Sequence, residues 1–329
     1  MSTSKIKRLQ NRFNELYDKF HMSGWKGWYW IDYLTDFVIY GTSLNDYFAY
    51  GFYKLKPNGK NEWITYRRYH KIQDLLNDKN DIDILRDKSK FNVRFSEFVK
   101  RESCVFSEMT VDEFKSFFAK HHTVFVKDTQ SYRGRGISSY TDGDIDLDKL
   151  YKELQETKSV YLLEPKIKEI KSFEDFHPWS INTIRIVTVY DDKKDVVHFM
   201  NARIRMGNNK RNVDNFHASG IGANIDIETG IINSIGYDMF ENTYIKHPLT
   251  GKQIIGFQIP YWEECKKFAE KAAKHLPSVR YVGWDIVIME NGEFLLIEGN
   301  DNADHDFQQL HNKGLWKEYK ALLEDMGKL

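Results

Sequence analysis

The chain has little of what several protein classes require. Only Cys104 and Cys265 are present among its 329 residues, so neither a disulfide framework nor a CxxC zinc site is available, which favours a reducing, cytoplasmic location. Lys plus Arg and Asp plus Glu both total 48, giving a formal net charge of zero. This balance predicts neither a nucleic-acid partner nor an acidic membrane partner. With 41% hydrophobic and 29% charged residues, the composition is that of a globular protein.

Long uninterrupted apolar runs are also missing. Charged residues between Lys5 and Glu15 break up the first twenty positions, which argues against a secretory signal peptide. The aromatic run from Trp25 to Tyr40 is too short and too charged to span a bilayer, so no transmembrane segment is expected. It could lie on a membrane surface, but its spacing favours a buried amphipathic helix.

Hydrophobic periodicity separates a mostly helical N-terminal part from a mixed remainder. Helical spacing is predicted over residues 6–20, 28–38, 45–53, 65–76, 91–99 and 147–155, from Pro260 to about Pro277, and from about Phe307. Strands are predicted over residues 123–127, 159–163, 183–190, 196–206, 223–227 and 231–235. Turn residues separate neighbouring strands, so the fold class is α+β with antiparallel hairpins.

The segment 284–300 is predicted to form a β-hairpin. Its Asn291-Gly292 dipeptide is the strongest two-residue turn signal that a sequence offers. A turn at this dipeptide pairs Glu290 with Glu293 across the two strands. Counting outward from that pair places two further carboxylates opposite each other, near the far end of the hairpin.

These two carboxylates belong to Asp285 and Glu298, and Asn300 lies on the same face. Facing carboxylates repel each other, more strongly where they are buried. A divalent cation between them would remove the repulsion, and two carboxylates with an amide oxygen suit Mg²⁺ held together with nucleotide phosphates. On this view, removing either carboxylate leaves the metal-free protein no less stable. The alternative is a surface hairpin with one carboxylate turned aside.

A candidate phosphate-binding loop follows the strand that ends at Lys127. It contains Arg133, Gly134, Arg135 and Gly136, so that backbone N–H groups at the glycines can approach anionic oxygens while the arginines add charge. It is neither a Walker loop nor a dinucleotide-binding fingerprint. A flexible basic surface loop is the alternative.

Taken in order, these motifs resemble the ATP-grasp superfamily, and most of all the ATP-grasp proteins associated with sugar transfer and capsular polysaccharide clusters. The resemblance covers about residues 84–310. It is carried by Asp87-Lys88, Lys127 with its glycine loop, Glu164-Pro165-Lys166-Ile167, Asn182-Thr183-Ile184-Arg185, Asp285 and Glu298-Gly299-Asn300.

The resemblance implies a role for each nucleotide-binding motif. Lys88 and Lys127 match the lysines that contact ATP phosphates, and Gly134 and Gly136 match the loop that closes over them. Residues 164–167, including Glu164, Lys166 and Ile167, match the linker that holds adenine. ATP and Mg²⁺ are the implied cofactors.

The resemblance also implies the metal and substrate residues. Asp285, Glu298 and Asn300 match the magnesium ligands. Arg185 and Arg203 match strand arginines that hold the transferred phosphoryl group or the substrate carboxylate. From its own context, His217 is a candidate substrate-binding or acid–base residue, with a purely structural hydrogen bond as the alternative.

One departure from the family pattern concerns the end of the last motif. The usual Glu-x-Asn-x-x-Pro-Gly becomes residues 298–304 without the proline and glycine, so that Asp301 or Asp304 could alter the metal shell.

The expected architecture is an ATP-grasp fold in which two α+β subdomains clasp ATP. It comprises a helical, aromatic-rich N-terminal region (1–84), a nucleotide-binding subdomain (85–165) and a C-terminal subdomain with the metal and substrate site (166–329). The expected activity is that of an ATP-dependent carboxylate–amine ligase acting through an acylphosphate on a uronic-acid sugar or an amino acid. Peripheral association with polysaccharide-assembly enzymes is possible on this view. An ATP-grasp kinase and a non-catalytic nucleotide-binding partner of a glycosyltransferase are the alternatives.

Overall fold

The computed structural model describes residues 3–129, 136–209, 220–239, 242–309 and 313–329. The chain divides into two compact units. The first contains Met1–Leu75 together with Asp304–Leu329, and the second contains Leu76–Ala303. The C-terminal residues therefore pack with the N-terminal ones, whereas the sequence assigned them to the last subdomain. The expected boundaries after residues 84 and 165 remain predictions.

Helices dominate the first unit and flank the sheets of the second. Within the described residues they are α1 (Thr3–Lys19), α2 (Lys26–Tyr40), α3 (Leu44–Ala49), α4 (Pro57–Lys60), α5 (Tyr66–Leu76), α6 (Ile82–Arg86), α7 (Lys88–Arg94), α8 (Ser96–Val99), α9 (Val111–His121), α10 (Leu147–Gln155), α11 (Lys171–Glu174), α12 (Trp262–His275), α13 (His305–Gln309) and α14 (Trp316–Asp325). Short 3₁₀ turns occur at Phe52–Lys54 and Phe106–Glu108. None of the helices in the described part of the chain combines the length and the apolar run needed to cross a membrane.

The strands form two antiparallel sheets. They are β1 (Cys104–Val105), β2 (Thr123–Asp128), β3 (Ile137–Thr141), β4 (Tyr161–Pro165), β5 (Thr183–Asp191), β6 (Val196–Met206), β7 (Ile221–Asn224), β8 (Gly236–Tyr237), β9 (Thr243–Tyr244), β10 (Tyr281–Ile288) and β11 (Phe294–Asn300). The small sheet has the order β1-β4-β2-β3, and the large sheet has the order β11-β10-β5-β6-β7-β8-β9. The predicted α+β class with antiparallel hairpins is confirmed.

The first unit is held together by aromatic packing and by its C-terminal residues. Phe13 and Tyr17, one helical turn apart on α1, are buried against Tyr47 and Phe48 of α3. The Gln309 side chain accepts hydrogen bonds from the backbone of Ile64 at 2.7 Å and of Leu315 at 3.1 Å, which joins the C-terminal segment to this unit.

Each sheet of the second unit packs one apolar face against helices. Val124, Val126 and Leu163 of the small sheet pack with α9 and α10. Ile184, Ile186, Trp284 and Ile286 of the large sheet belong to the main core, which also includes α12 residues. Because successive side chains on a strand point to opposite faces, the residues between these apolar ones line the other face of each sheet. The candidate site residues are among them.

Several sequence expectations differ from the structure. Residues 231–235 form only isolated bridges, Ile225↔Ile232 and Ile231↔Gln258. The helix expected over 91–99 is two short helices, α7 and α8. Helix α9 and strand β3 were not predicted. Helix α2 forms as expected, but its large apolar side chains are mainly exposed, contrary to the expectation of a buried helix.

Candidate functional site

A row of polar residues crosses the large sheet perpendicular to its strands. Glu298 pairs with Asp285, Asp285 with Arg185, Arg185 with Arg203, and Arg203 with Asn224, each in direct register on neighbouring strands. Directly opposed residues lie on the same face of a sheet. The first four residues, here called the charged row, therefore form one continuous line across β11, β10, β5 and β6.

The expected pairing of Asp285 with Glu298 is correct, although the turn that was used to derive it is not. Glu290 and Glu293 do not form a cross-strand pair. The predicted turn would place Ile288 opposite Leu295, but Ile288 pairs with Phe294, so the turn is one residue longer than predicted. A bulge between Asp285 and Ile286 shifts the register back by one residue. The two deviations cancel at the carboxylates.

Asp285 is buried and held by two arginines. Its Oδ2 accepts hydrogen bonds from Arg185 Nη2 at 3.0 Å and from Arg205 Nη1 at 2.7 Å, and Arg185 Nε donates to Oδ1. Burial alone would raise the pKa of this carboxyl, but the two guanidinium groups lower it to about 2. Asp285 is therefore ionised at neutral pH.

Glu298 has the opposite electrostatic environment. Burial, followed by the charge of Asp285 and a hydrogen bond shared with it, raises the pKa of Glu298 above its ordinary value. Asn300 Nδ2 donates to Glu298 Oε1 at 3.2 Å, so the amide lies beside this carboxylate. The site consequently holds two facing carboxylates of which one resists ionisation.

The oxygen ligands at the Glu298 end of the charged row suit a hard divalent cation. Two carboxylates and an amide oxygen are the groups that Mg²⁺ takes from proteins, and a nearby cation would oppose the rise in the Glu298 pKa. The arginines form hydrogen bonds with both oxygens of Asp285. Glu298 and Asn300 are therefore the less engaged of the three candidate metal ligands. In the described residues no group of three His, Cys, Asp or Glu side chains suits a metal, so these two carboxylates need the amide and a further ligand such as a phosphate.

The small sheet carries a second buried carboxylate. Glu164 on β4 accepts hydrogen bonds from Asn92 Nδ2 at 2.9 Å, Arg101 Nη2 at 2.7 Å and Lys127 Nζ at 2.5 Å. Burial would raise the pKa of Glu164, but the charges of Arg101 and Lys127 hold it well below its usual range. Glu164 thus balances part of a strongly positive cluster.

Lys88 connects this cluster to the charged row. At the start of α7, its Nζ donates to the Asp128 carbonyl at 2.9 Å. Burial lowers the pKa of Lys88, the charge of Glu298 opposes this effect, and the charge of Lys127 adds to it. Arg101 Nη1 also donates to the Leu296 carbonyl of β11 at 2.9 Å. The lysines and carboxylates therefore share one electrostatic environment.

The other predicted site residues vary in position. Arg203 is fully buried, and its guanidinium lies 5.2 Å from the centre of the Tyr237 ring. Lys166 is exposed and Ile167 half-buried, directly after β4. Gly136 has a φ of 68°, a conformation that favours glycine. Four predicted residues lie outside the described residues: Arg133, Gly134, Arg135 and His217.

Of the two aspartates expected to alter the metal shell, Asp301 has another partner. Arg86 binds it through two hydrogen bonds of 2.8 and 3.1 Å, and the Asp301 side chain is buried. Its carboxylate is therefore engaged by a cation of the protein itself. The altered ending of the motif corresponds to an ion pair at this position.

Three residues of the site were not predicted. Arg205 lies two positions after Arg203 on the same strand, so strand periodicity was a usable signal. Asn92 lies one helical turn after Lys88 on α7, a spacing that also places both on one side. Arg101 follows α8 in a loop, and nothing in its local sequence indicates that it reaches Glu164.

Comparison with known families gives a match over most of the chain. The family model described as sugar-transfer associated ATP-grasp matches residues 67–323. This match confirms the resemblance found in the sequence. No match was found among the curated proteins.

Several solved structures align with parts of the chain at low identity. A complex of the ATP-grasp ligase PsnB with minimal precursor, Mg and ADP is 13% identical, with a TM-score of 0.47 over 77% of this chain and 62% of that chain. D-cycloserine synthetase DcsG is 11% identical, with a TM-score of 0.46 over 74% and 71% of the two chains. D-alanyl-alanine synthetase A from Vibrio cholerae O1 biovar eltor str. N16961 is 11% identical, with a TM-score of 0.41 over 66% and 55%. The chain thus spans less than two thirds of the length of PsnB and of the Vibrio synthetase.

Proposed function

The chain belongs to the sugar-transfer associated ATP-grasp family, and from this premise we propose that it is an ATP-dependent ligase that joins a carboxylate to an amine. The observation that carries the proposal is the charged row, which lies in one electrostatic environment with Lys88 and Lys127. Paired carboxylates beside strand arginines and lysines suit the transfer of a phosphoryl group, during which negative charge develops on the phosphate oxygens.

In the proposed first step, a substrate carboxylate oxygen attacks the γ-phosphorus of ATP. The bond between that phosphorus and the β,γ-bridging oxygen breaks, and ADP leaves with the electron pair. Lys88 and Lys127 bind the phosphates, and Arg185 and Arg203 stabilise the charge that develops on the transferred phosphoryl oxygens. The glycine loop at residues 133–136 closes over the nucleotide, while residues 164–167 hold adenine.

Asp285, Glu298 and Asn300 would hold Mg²⁺ in this site. When bound, the cation would neutralise phosphate charge and orient the transferred group. The protein's own contribution is to keep Asp285 ionised through Arg185 and Arg205, so that the facing pair of carboxylates carries negative charge for the cation.

In the proposed second step, an amine nitrogen attacks the carbonyl carbon of the acylphosphate. The carbon–oxygen bond to phosphate breaks, the nitrogen loses a proton, and an amide and inorganic phosphate are released. His217 is the proposed proton acceptor. Holding both reactants in one site accounts for much of the expected rate increase, because the reaction then becomes effectively unimolecular.

The finer points of the proposal concern the substrate and the setting. A uronic-acid sugar or an amino acid as the carboxylate substrate agrees with the sugar-transfer description of the family. We further propose a role in surface polysaccharide biosynthesis, a cytoplasmic location, and peripheral association with polysaccharide-assembly enzymes. The two cysteines, neither of them in a disulfide, agree with such a location.

The test is a product analysis with candidate carboxylates, Mg²⁺ and ATP. The expected products are ADP and phosphate, and hydroxylamine in place of the natural amine should yield a hydroxamate, because an acylphosphate is electrophilic at carbon. Arg185→Ala should lower the hydroxamate yield by about 10²-fold or more, whereas Arg12→Ala, a change at an exposed residue of α1, should leave it unchanged.

Three outcomes would contradict the ligase. AMP among the products would exclude attack at the γ-phosphorus. A stable phosphorylated acceptor without hydroxamate would indicate a kinase that stops after the first step. Binding of ATP without turnover, over a broad panel of uronates and amino acids, would favour a non-catalytic nucleotide-binding partner of a glycosyltransferase.

A further inference from the structure

Helix α2 has an inverted distribution of polar and apolar side chains. Its two carboxylates face inward: Lys60 Nζ donates to Asp36 at 2.7 and 2.9 Å, and Tyr47 donates to Asp32 at 2.7 Å. Asp36 is only 2% exposed, and burial raises the pKa of its carboxyl despite Lys60. The two acidic residues of this helix thus form their hydrogen bonds inside the first unit.

The opposite face of α2 exposes large apolar side chains. Trp28, Ile31 and Val38 follow one another at helical spacing, and Val38 is 69% exposed. Further exposed apolar residues on the same helix or just before it are Trp25, Leu34, Phe37 and Ile39. Contiguous exposed apolar surface of this kind marks an interaction site, whereas single exposed apolar residues need no explanation.

Basic groups lie at both ends of this face. At the end of α2, the exposed Arg67 donates to the carbonyls of Phe37 at 2.9 Å and Val38 at 3.1 Å. At its start, the exposed Lys26 side chain lies 4.6 Å from the centre of the Tyr17 ring and bonds to Asp18. Asp18 is itself exposed and balances the charge of Lys26, so the net positive charge beside this face comes from Arg67. Since both α2 carboxylates point inward, the exposed face bears no negative charge of its own, and Arg67 makes it complementary to an anionic surface.

We propose that the apolar face of α2 binds the surface of an anionic lipid bilayer. Tryptophan is favoured at the boundary between lipid head groups and acyl chains, and an apolar helix face flanked by basic groups lies flat in that boundary. At 15 residues, α2 would lie in the plane of the membrane surface. Trp25 and Trp28 would be at one end of the apolar face that enters the lipid. The inference does not rest on the proposed ligase activity, because none of these residues belongs to the candidate site.

The test is co-sedimentation of the full chain with phosphatidylcholine vesicles that contain or lack phosphatidylglycerol. The wild-type protein should sediment with the anionic vesicles and less with the neutral ones, and added salt should weaken binding. Ile31→Gln combined with Val38→Gln should lower the partition coefficient by about tenfold or more, since both apolar side chains would otherwise enter the lipid. These exposed positions are compatible with folding, which circular dichroism would verify.

A matched control uses two other exposed apolar residues in the second unit. Val196→Gln combined with Ile245→Gln makes the same chemical change away from α2 and should leave vesicle binding unaltered. Absence of wild-type binding to both kinds of vesicle would overturn the proposal, as would equal binding by the two double variants. If the protein does not bind lipid, and light scattering shows a dimer that only the α2 double variant dissociates, the face would instead be assigned to contact with a second copy of the chain.

Discussion

The two sheets of the second unit each carry a buried carboxylate, and they balance its charge in opposite ways. On the small sheet, Glu164 is shared by Arg101 and Lys127, so positive charge is in excess. On the large sheet, Asp285 is already satisfied by arginines, and Glu298 faces it with a raised pKa. The first arrangement suits a polyanion and the second suits a cation. A nucleotide with its metal supplies both, which is why the comparison supports the proposed Mg·ATP site.

The largest expected effect separates the two carboxylates of the charged row. Asp285→Asn should abolish turnover and lower the free energy of unfolding by about 3–5 kcal/mol, because it leaves two buried guanidinium groups without their carboxylate. Glu298→Gln should also abolish turnover but leave stability equal or higher, since it removes the carboxyl that resists ionisation. Urea denaturation and ADP release measure the two effects.

This prediction differs from the expectation drawn from the sequence. Without knowledge of the arginines, both substitutions were expected to be harmless to the metal-free protein. Glu263→Gln, at an exposed glutamate of α12, is the control for the chemical change itself. Equal loss of stability in the Asp285 and Glu298 variants would contradict the different roles assigned to the two residues, and full turnover in both would remove the basis of the metal site.

The next effect concerns the lysines of the positive cluster. Lys127→Ala should weaken ATP binding by about 1.5–3 kcal/mol, the contribution of a hydrogen bond to a charged group. Glu164 keeps Arg101 as a partner in this variant, so the fold should survive. Lys88→Ala should have a smaller effect, because its ammonium already donates to backbone carbonyls.

Calorimetric titration with ATP measures both affinities. Lys115→Ala is a suitable control, since this exposed lysine pairs with Asp148 on the outer surface formed by α9 and α10. An unchanged ATP affinity in both Lys127→Ala and Lys88→Ala would show that the phosphates do not lie between the charged row and the positive cluster around Glu164. A larger effect for Lys88 would reverse the relative importance assigned to the two lysines.

The sequence predicted the elements of the site better than the contacts within it. Asp285 and Glu298 were paired correctly because strand alternation fixes the face of each residue, and here a longer turn and a bulge happened to cancel. A pattern of two residues per repeat cannot locate a bulge. The arginines that hold Asp285 lie on other strands, so their partnership depends on the order of strands in the sheet.

The small-sheet cluster was even less accessible to sequence reasoning. Glu164 and Lys127 were both identified, but as separate ligands of ATP and not as partners of each other. Arg101 is 63 positions from Glu164 in the chain. Such a contact arises from tertiary packing, which local periodicity does not describe. The inverted character of α2 escaped for a similar reason, because periodicity locates an apolar face but does not say whether another element covers it.

The smallest expected effect is a pH dependence of stability that belongs to Glu298 alone. Its pKa in the folded protein is above the ordinary value of 4.5. The stability that it contributes is therefore complete below pH 4.5 and is lost as the pH rises through the folded pKa. Asp285 behaves in the opposite way: its pKa of about 2 lies below the ordinary 3.8, so its contribution is present above pH 3.8 and is lost as the pH falls toward 2.

The two windows do not overlap, which makes the effect measurable. Urea denaturation of the wild-type protein and of Glu298→Gln between pH 4.5 and pH 8 should give curves that diverge as the pH rises, with the wild type losing at most about 1.4 kcal/mol per pH unit relative to the variant. Mg²⁺ with a non-hydrolysable ATP analogue should reduce the divergence, because a bound cation favours the ionised carboxylate. Parallel curves in the absence of metal would show that burial and the charge of Asp285 do not raise the pKa of Glu298. The electrostatic argument for a cation at this end of the charged row would then fail.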